Sequence, residues 1–173
     1  MNFLIKVFFS FIFATCFSGI LKAQVPTIQW QKTYGGTNDE EAHSICTLKN
    51  GDFVIVGSAK SNNGNVSNHH PLTPGFYDRD FWLIKVDSLG NLLWNKCYGG
   101  SGGDDANSLI QTLDGGFIMA GYTYSEDGDV IGLHGSGDDF WIVKTDSLGN
   151  LQWQKCLGGD RHGCSKPNNF NQR

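Results

Sequence analysis

The sequence lacks the Cys-x-x-Cys and Cys/His spacings of a zinc centre, which excludes the common zinc-built folds. It also lacks a surplus of positive charge. The formal net charge is −4, and −6 once Lys6 and Lys22 are set aside with the leader described below. No basic patch is left to hold a phosphate backbone, so nucleic acid is not an expected partner. The N-terminal apolar run, Val7 to Phe17, is too short to cross a bilayer as a helix, and no transmembrane helix is expected in the mature chain. Leucine is sparse while glycine numbers 23, which argues against a helical bundle and for short strands joined by tight turns. No Ser, His and acidic residue recur in an arrangement that suggests a nucleophile. No catalytic residue and no cofactor is therefore expected.

What is present begins with an address. Met1 to Lys6 ends in a basic residue, the apolar run follows, and Leu21-Lys22-Ala23 offers a small residue before a cut. That order is a signal peptide over residues 1–23, leaving Gln24 first and the mature chain secreted or at the cell surface through the Sec pathway, with the periplasm as the alternative. Lipidation at Cys16 is the competitor. Phe13-Ala14-Thr15 is a poor lipobox, however, and no polar tether follows Cys16.

The organisation is set by self-similarity. Ile28-Gln29-Trp30-Gln31-Lys32-Thr33-Tyr34-Gly35-Gly36 returns from Leu92 to Gly100 and again from Leu151 to Gly159, with Trp30, Trp94 and Trp153 spaced 64 and 59 residues apart. Between these copies, Asn50 to Gly57 matches Asp114 to Gly121, and Asp80 to Asn91 matches Asp139 to Asn150. The expected units are 24–91, 92–150 and the start of a third at 151–173. Each reads as four strands: Ala42 to Lys49 (Ala106 to Leu113), a doubly covered apolar run from Phe53 (Phe117), a strand around Trp82 (Trp141), and a half-exposed outer strand around each repeat Trp. Asn-Gly and Asp-Gly pairs mark the first hairpins. The fold class expected is all-β, with tandem four-stranded antiparallel blades of an incomplete β-propeller.

The Tyr98-Gly99-Gly100-Ser101 start, Asp104 and Ala106, the Asp114-Gly115-Gly116-Phe117-Ile118 hairpin, Gly121-Tyr122-Thr123 with Ser125, and the Asp139 to Lys144 strand resemble the bacterial β-propeller repeats called SBBP repeats. They are most similar to versions in large proteins exported by the type IX secretion system. The resemblance covers Ile28 to Gly159. It implies a ring of further blades and a C-terminal sorting domain, so the chain is expected to be a fragment. It implies an extracellular scaffold or binding surface for a protein or glycan, and no particular activity. The alternatives are a glycan-binding propeller accompanying an exported enzyme, and an enzyme whose site lies on further blades.

Four motifs carry candidate chemistry. Asp127, Asp129, Asp138 and Asp139 could offer hard oxygens to Ca²⁺. The matching stretch of the first unit, Ser61-Asn62-Asn63-Gly64-Asn65, replaces the loop carboxylates by amides, and turns built on short polar side chains account for both versions. His69-His70 reads as a solvated loop pair with no nearby acidic partner. Asp87-Ser88-Leu89-Gly90-Asn91 and its copy at Asp146 to Asn150 are similar to a quinoprotein docking motif, shortened by one residue and lacking its Thr. They read as a blade-stacking turn, and Asp-Ser-Leu also resembles an O-glycosylation sequon. Cys97 and Cys156 sit at equivalent places on neighbouring outer strands, too far apart to bridge, and are expected as free or exposed thiols.

The tail departs from the repeat. After Gly158-Gly159 the pattern predicts Asp-x-Ala-x-Ser-Ile, whereas the sequence reads DRHGCSKPNNFNQR. A one-base slip from His162 permits MDAANxIIST, which aligns without a gap on the second unit up to Thr112. The expectation is a frameshifted third unit, with a divergent terminal cap as the alternative. Genomic sequence past the stop decides it.

Overall fold

The computed structural model describes residues 26–70 and 79–159. Eight strands follow one another: β1 (Glu40–Thr47), β2 (Phe53–Ala59), β3 (Asp80–Val86), β4 (Leu92–Tyr98), β5 (Asp104–Gln111), β6 (Phe117–Thr123), β7 (Asp139–Thr145) and β8 (Leu151–Leu157). They form two four-stranded antiparallel sheets, ordered β1-β2-β3-β4 and β5-β6-β7-β8. Among the described residues there is no helix. The fold is all-β, two stacked blades that do not close into a ring.

Turn chemistry explains the strand ends. Gly51 (φ 86°) and Gly115 (φ 83°) take the left-handed conformation that the tight β1–β2 and β5–β6 hairpins need. Both units carry the same irregularity, a register shift between Ala42 and Ser44 and between Ala106 and Ser108. The extra residue at this bulge is His43 in one unit and Asn107 in the other, and a bulge re-aims the side chain it carries.

The core lies between the sheets. Val54, Val56, Phe81, Leu83 and Tyr98 on the trailing face of the first sheet meet Phe117, Met119, Trp141 and Val143 on the leading face of the second. Phe81 and Trp141 pack edge to face at 4.7 Å. The DSLGN turns lock this stack as expected. Tyr98 donates to Gly149 O at 2.6 Å, and Trp94 leans on Phe117 at 6.3 Å. A Cβ at Gly149 would stand 3.1 Å from Trp94, so glycine makes room for the indole. One turn earlier in the repeat, Tyr34 donates to Gly90 O at 2.6 Å and Trp30 Nε1 to Ser88 O at 3.0 Å.

Several expectations need correction. The first strands begin at Glu40 and Asp104, not at Ala42 and Ala106, and end at Thr47 and Gln111. The Trp94 strand pairs with β3, so it completes the first sheet, which therefore runs across the repeat boundary at residues 91 and 92. Ile28 to Gly36, though a copy of β4, is not a strand here. It lies against the leading face of the first sheet, with Tyr34 packed beside Trp82 and Ile84. The apolar runs are not both doubly covered: Ile118, Ala120 and Tyr122 of β6 are only half-buried. Cys97 and Cys156 are free but buried, because they stand opposite Trp82 and Trp141 on the packed face. The expected signal peptide, Cys16, Cys164 and the tail beyond Gly159 lie outside the described residues.

Candidate functional site

The loop that follows β2 or β6 was the expected place for chemistry, and the structure gives it a mechanical task. Asp127 Oδ1 accepts Ser101 N–H at 2.6 Å, and in the first unit Asn63 Oδ1 accepts Thr37 N–H at 3.0 Å. Ser125 Oγ accepts Gly102 N–H and Ser61 Oγ accepts Asn38 N–H, each at 2.9 Å. Asp129 N–H donates to Gly99 O at 2.8 Å, as Asn65 N–H does to Gly35 O at 2.9 Å. Each loop thus clasps the Gly-Gly segment that leads into its blade, satisfying backbone groups that the sheets leave unpaired. A Cβ at Gly128 (φ 65°) would strike the Gly99 carbonyl, which is why glycine stands there and at Gly64. Carboxylate and amide serve equally because only an acceptor oxygen is required.

Two of the four aspartates considered for Ca²⁺ are engaged in this clasp. Asp127 and Asp129 belong to the clasp, and Asp138 has a partner of its own. Asp139 is buried, and its Oδ2 receives both the backbone N–H and the ring Nδ1 of His134, at 2.9 and 2.8 Å. Among the described residues no group of three or more His, Cys, Asp or Glu side chains could hold a metal ion.

The His134–Asp139 pair has a twin that sequence reading missed. His70 donates its backbone N–H to Asp80 Oδ2 at 2.8 Å, and its Nδ1 stands 2.8 Å from the same oxygen. The solvated-pair reading of His69-His70 is thus corrected: His69 is buried and His70 is held by a buried carboxylate. Pairing with Asp80, reinforced by Asp129 3.8 Å away, raises the His70 pKa against the opposing effect of burial. The signal was hidden because His and Asp are ten residues apart in one unit and five in the other.

One cavity of about 530 Å³ opens between the heads of β1 and β5. Arg79, just before β3, donates to Glu41 Oε1 at 2.7 Å and to Ser58 Oγ at 3.2 Å, with Asp105 Oδ1 3.7 Å from its other reach. The Arg79 bond holds the Glu41 carboxyl down at about 2, so it is ionised throughout the neutral range. Tyr122 donates to Asp105 Oδ2 at 2.8 Å, and burial together with that carboxylate pushes the phenol up to about 12. Tyr124 meets Tyr122 edge to face at 6.0 Å. The bulge turns His43 across the sheet junction, where Nδ1 lies 2.7 Å from Ala106 O. A carbonyl only accepts, so Nδ1 carries the proton. Nε2 is left 3.5 Å from Glu41 Oε2.

None of these residues was singled out as a site from the sequence, yet a signal existed. At matching repeat positions the units differ: His43 against Asn107, Ser58 against Tyr122, Lys60 against Tyr124, Arg79 against Asp138. Blade packing makes the same demands of both units, so residues that differ at the junction are free of those demands. No family model and no curated protein sequence matches the chain.

Proposed function

We propose that the chain is a non-catalytic module of an exported propeller-like protein, an extracellular scaffold with a binding surface at the blade junction. The observation that carries this reading is the division of labour between shared and unshared residues. Those common to both units, the clasp loops, the His–Asp pairs and the Trp turns, are consumed in holding and stacking blades. Four that differ between the units, His43, Arg79, Tyr122 and Tyr124, line the cavity between β1 and β5. Function on repeat scaffolds is placed in this way, as side chains grafted onto a repeated frame. The N-terminal charge and apolar pattern supports export, and the repeat motifs support kinship with the blades of type IX-exported proteins.

Expression of the full chain in a bacterial host, followed by fractionation and mass spectrometry of its N-terminus, tests the reading. Exported protein beginning at Gln24 and lacking turnover of offered saccharides is expected. Unprocessed protein in the cytoplasm, or a lipid on Cys16, would overturn the export assignment.

A further inference from the structure

We infer that the cavity between β1 and β5 binds a neutral saccharide unit through the Glu41 carboxylate, the Arg79 guanidinium and the ring faces of Tyr122 and Tyr124; this rests on the binding-module reading above.

Arg79 donates through Nη2 to Glu41 and through Nη1 to Ser58, two of its five N–H groups, and Nη1 stands 3.7 Å from Asp105 Oδ1. The Tyr122 hydroxyl has committed its proton to Asp105 Oδ2, and the His43 Nδ1 proton goes to Ala106 O. Among the acceptors, the Glu41 carboxylate is about half exposed. Glu41 Oε2 has only the imidazole edge of His43 at 3.5 Å. Asp105 Oδ1 is enclosed beside the guanidinium, so a ligand's hydroxyl groups meet Glu41 and the remaining N–H groups of Arg79, and hydroxyls serve both because they donate and accept. Two carboxylates against one guanidinium disfavour an anionic ligand, because a third negative charge would enter a partly desolvated site.

The aromatic pair narrows the class. Tyr124 is 46% exposed at the mouth, and its edge-to-face contact with Tyr122 leaves ring surface toward the cavity. A flat apolar wall beside hydrogen-bonding oxygens suits a ligand with one apolar face and a rim of hydroxyls, which describes a pyranose ring. The cavity volume of about 530 Å³ lies inside the range of small-ligand sites, roughly 300–1,000 Å³. The second unit's own Tyr122 and Tyr124 replace Ser58 and Lys60 of the first, so the platform is not a by-product of the repeat.

The test uses the processed chain and a panel of neutral sugars: glucose, galactose, mannose, N-acetylglucosamine and lactose. Binding is read by saturation-transfer and chemical-shift NMR. At least one sugar is expected to bind with a millimolar Kd, as few hydrogen bonds at an open cleft allow. Tyr124→Ala and Glu41→Gln should each weaken it at least about fivefold. Tyr124→Ala is the primary variant because that side chain is exposed and its removal spares the fold. Lys49→Ala, at the opposite end of β1, should leave the affinity unchanged. No binding by the folded chain, binding indifferent to both cleft variants, or binding of methylammonium in place of every sugar would each overturn the inference while leaving export and scaffolding intact. Cleavage of a bound disaccharide would uphold the saccharide site and overturn the non-catalytic reading.

Discussion

Asp104 offers the sharpest physical test of the blade junction. It opens β5 with its side chain fully enclosed, and its Oδ2 accepts Gly100 N–H at 2.9 Å and Ser125 Oγ at 2.8 Å. Burial nevertheless dominates. It pushes the carboxyl from 3.8 up to about 7, with Asp80 adding to the rise and the hydrogen bonds opposing it. The folded chain therefore holds a proton at Asp104 that the unfolded chain releases between about pH 4 and pH 7. Over that interval the native state binds more protons, so stability falls as pH rises, by roughly 1.4 kcal/mol per pH unit. Between pH 5 and pH 7 the loss is about 3 kcal/mol, and above pH 7 the slope from this group vanishes. Asp104→Asn keeps the shape and one acceptor oxygen but cannot ionise. His70 also loses pairing stability as pH rises through its raised value, and because Asp80 is its main partner and Asp104 the last of the charges that raise it, the difference between the two proteins is dominated by Asp104. Urea midpoints from pH 5 to pH 8.5 are the assay. The variant should gain on the wild type with rising pH and stand about 3 kcal/mol further ahead at pH 8 than at pH 5. Parallel profiles, or a wild type that gains from alkali relative to the variant, would refute the argument.

Four other outcomes follow from the same contacts. Asp127→Asn should change stability by less than about 0.5 kcal/mol, with or without added calcium, because Asn63 already performs that task; a calcium-dependent rise in the urea midpoint would restore the ion-site idea. Gly128→Ala should cost roughly 1–3 kcal/mol through its φ of 65° and the Gly99 carbonyl, and more than Gly132→Ala, where the added methyl meets open space. Trp94→Ala should cost about 2–4 kcal/mol by emptying the space between Phe117 and the Gly149 turn, read as a lower thermal midpoint. The processed chain should self-associate through the trailing face of the second sheet, where Phe140 is 55% exposed and its counterpart Phe81 is fully buried; Phe140→Lys should restore a monomer in sedimentation, and an already monomeric, high-melting wild type would contradict this.

The architecture was legible because every strand was written twice. Two copies of the Asp-Phe-Trp strand and two of the Gly-hairpin separate what a blade requires from what one blade happens to carry. Strand ends were less legible. Glu40 and Asp104 enter β1 and β5 because their carboxylates reach back to Gly36 and Gly100, a bond invisible to alternation of apolar residues. The phase of the repeat was also opaque. Trp94 follows the Asn91 turn as smoothly as a new unit would, and only its pairing with β3 shows that it finishes the sheet already begun.

The buried polar residues show where one-dimensional reading stops. His70 and Asp80 are separated by an insertion that His134 and Asp139 lack, so a shared structural pair shows no shared spacing. The blade junction was harder still, because Glu41 near the start of β1, Arg79 just before β3 and Tyr122 near the end of β6 meet only after the sheets stack. The repeat supplies the method that periodicity does not. At matched positions His43, Arg79, Tyr122 and Tyr124 stand against Asn107, Asp138, Ser58 and Lys60, and the fold brings these four to one cavity, while other differences, such as Lys49 against Leu113 and Leu93 against Gln152, lie elsewhere. A difference between the units marks a candidate site only where, as with these four, the changed side chains line one cleft together.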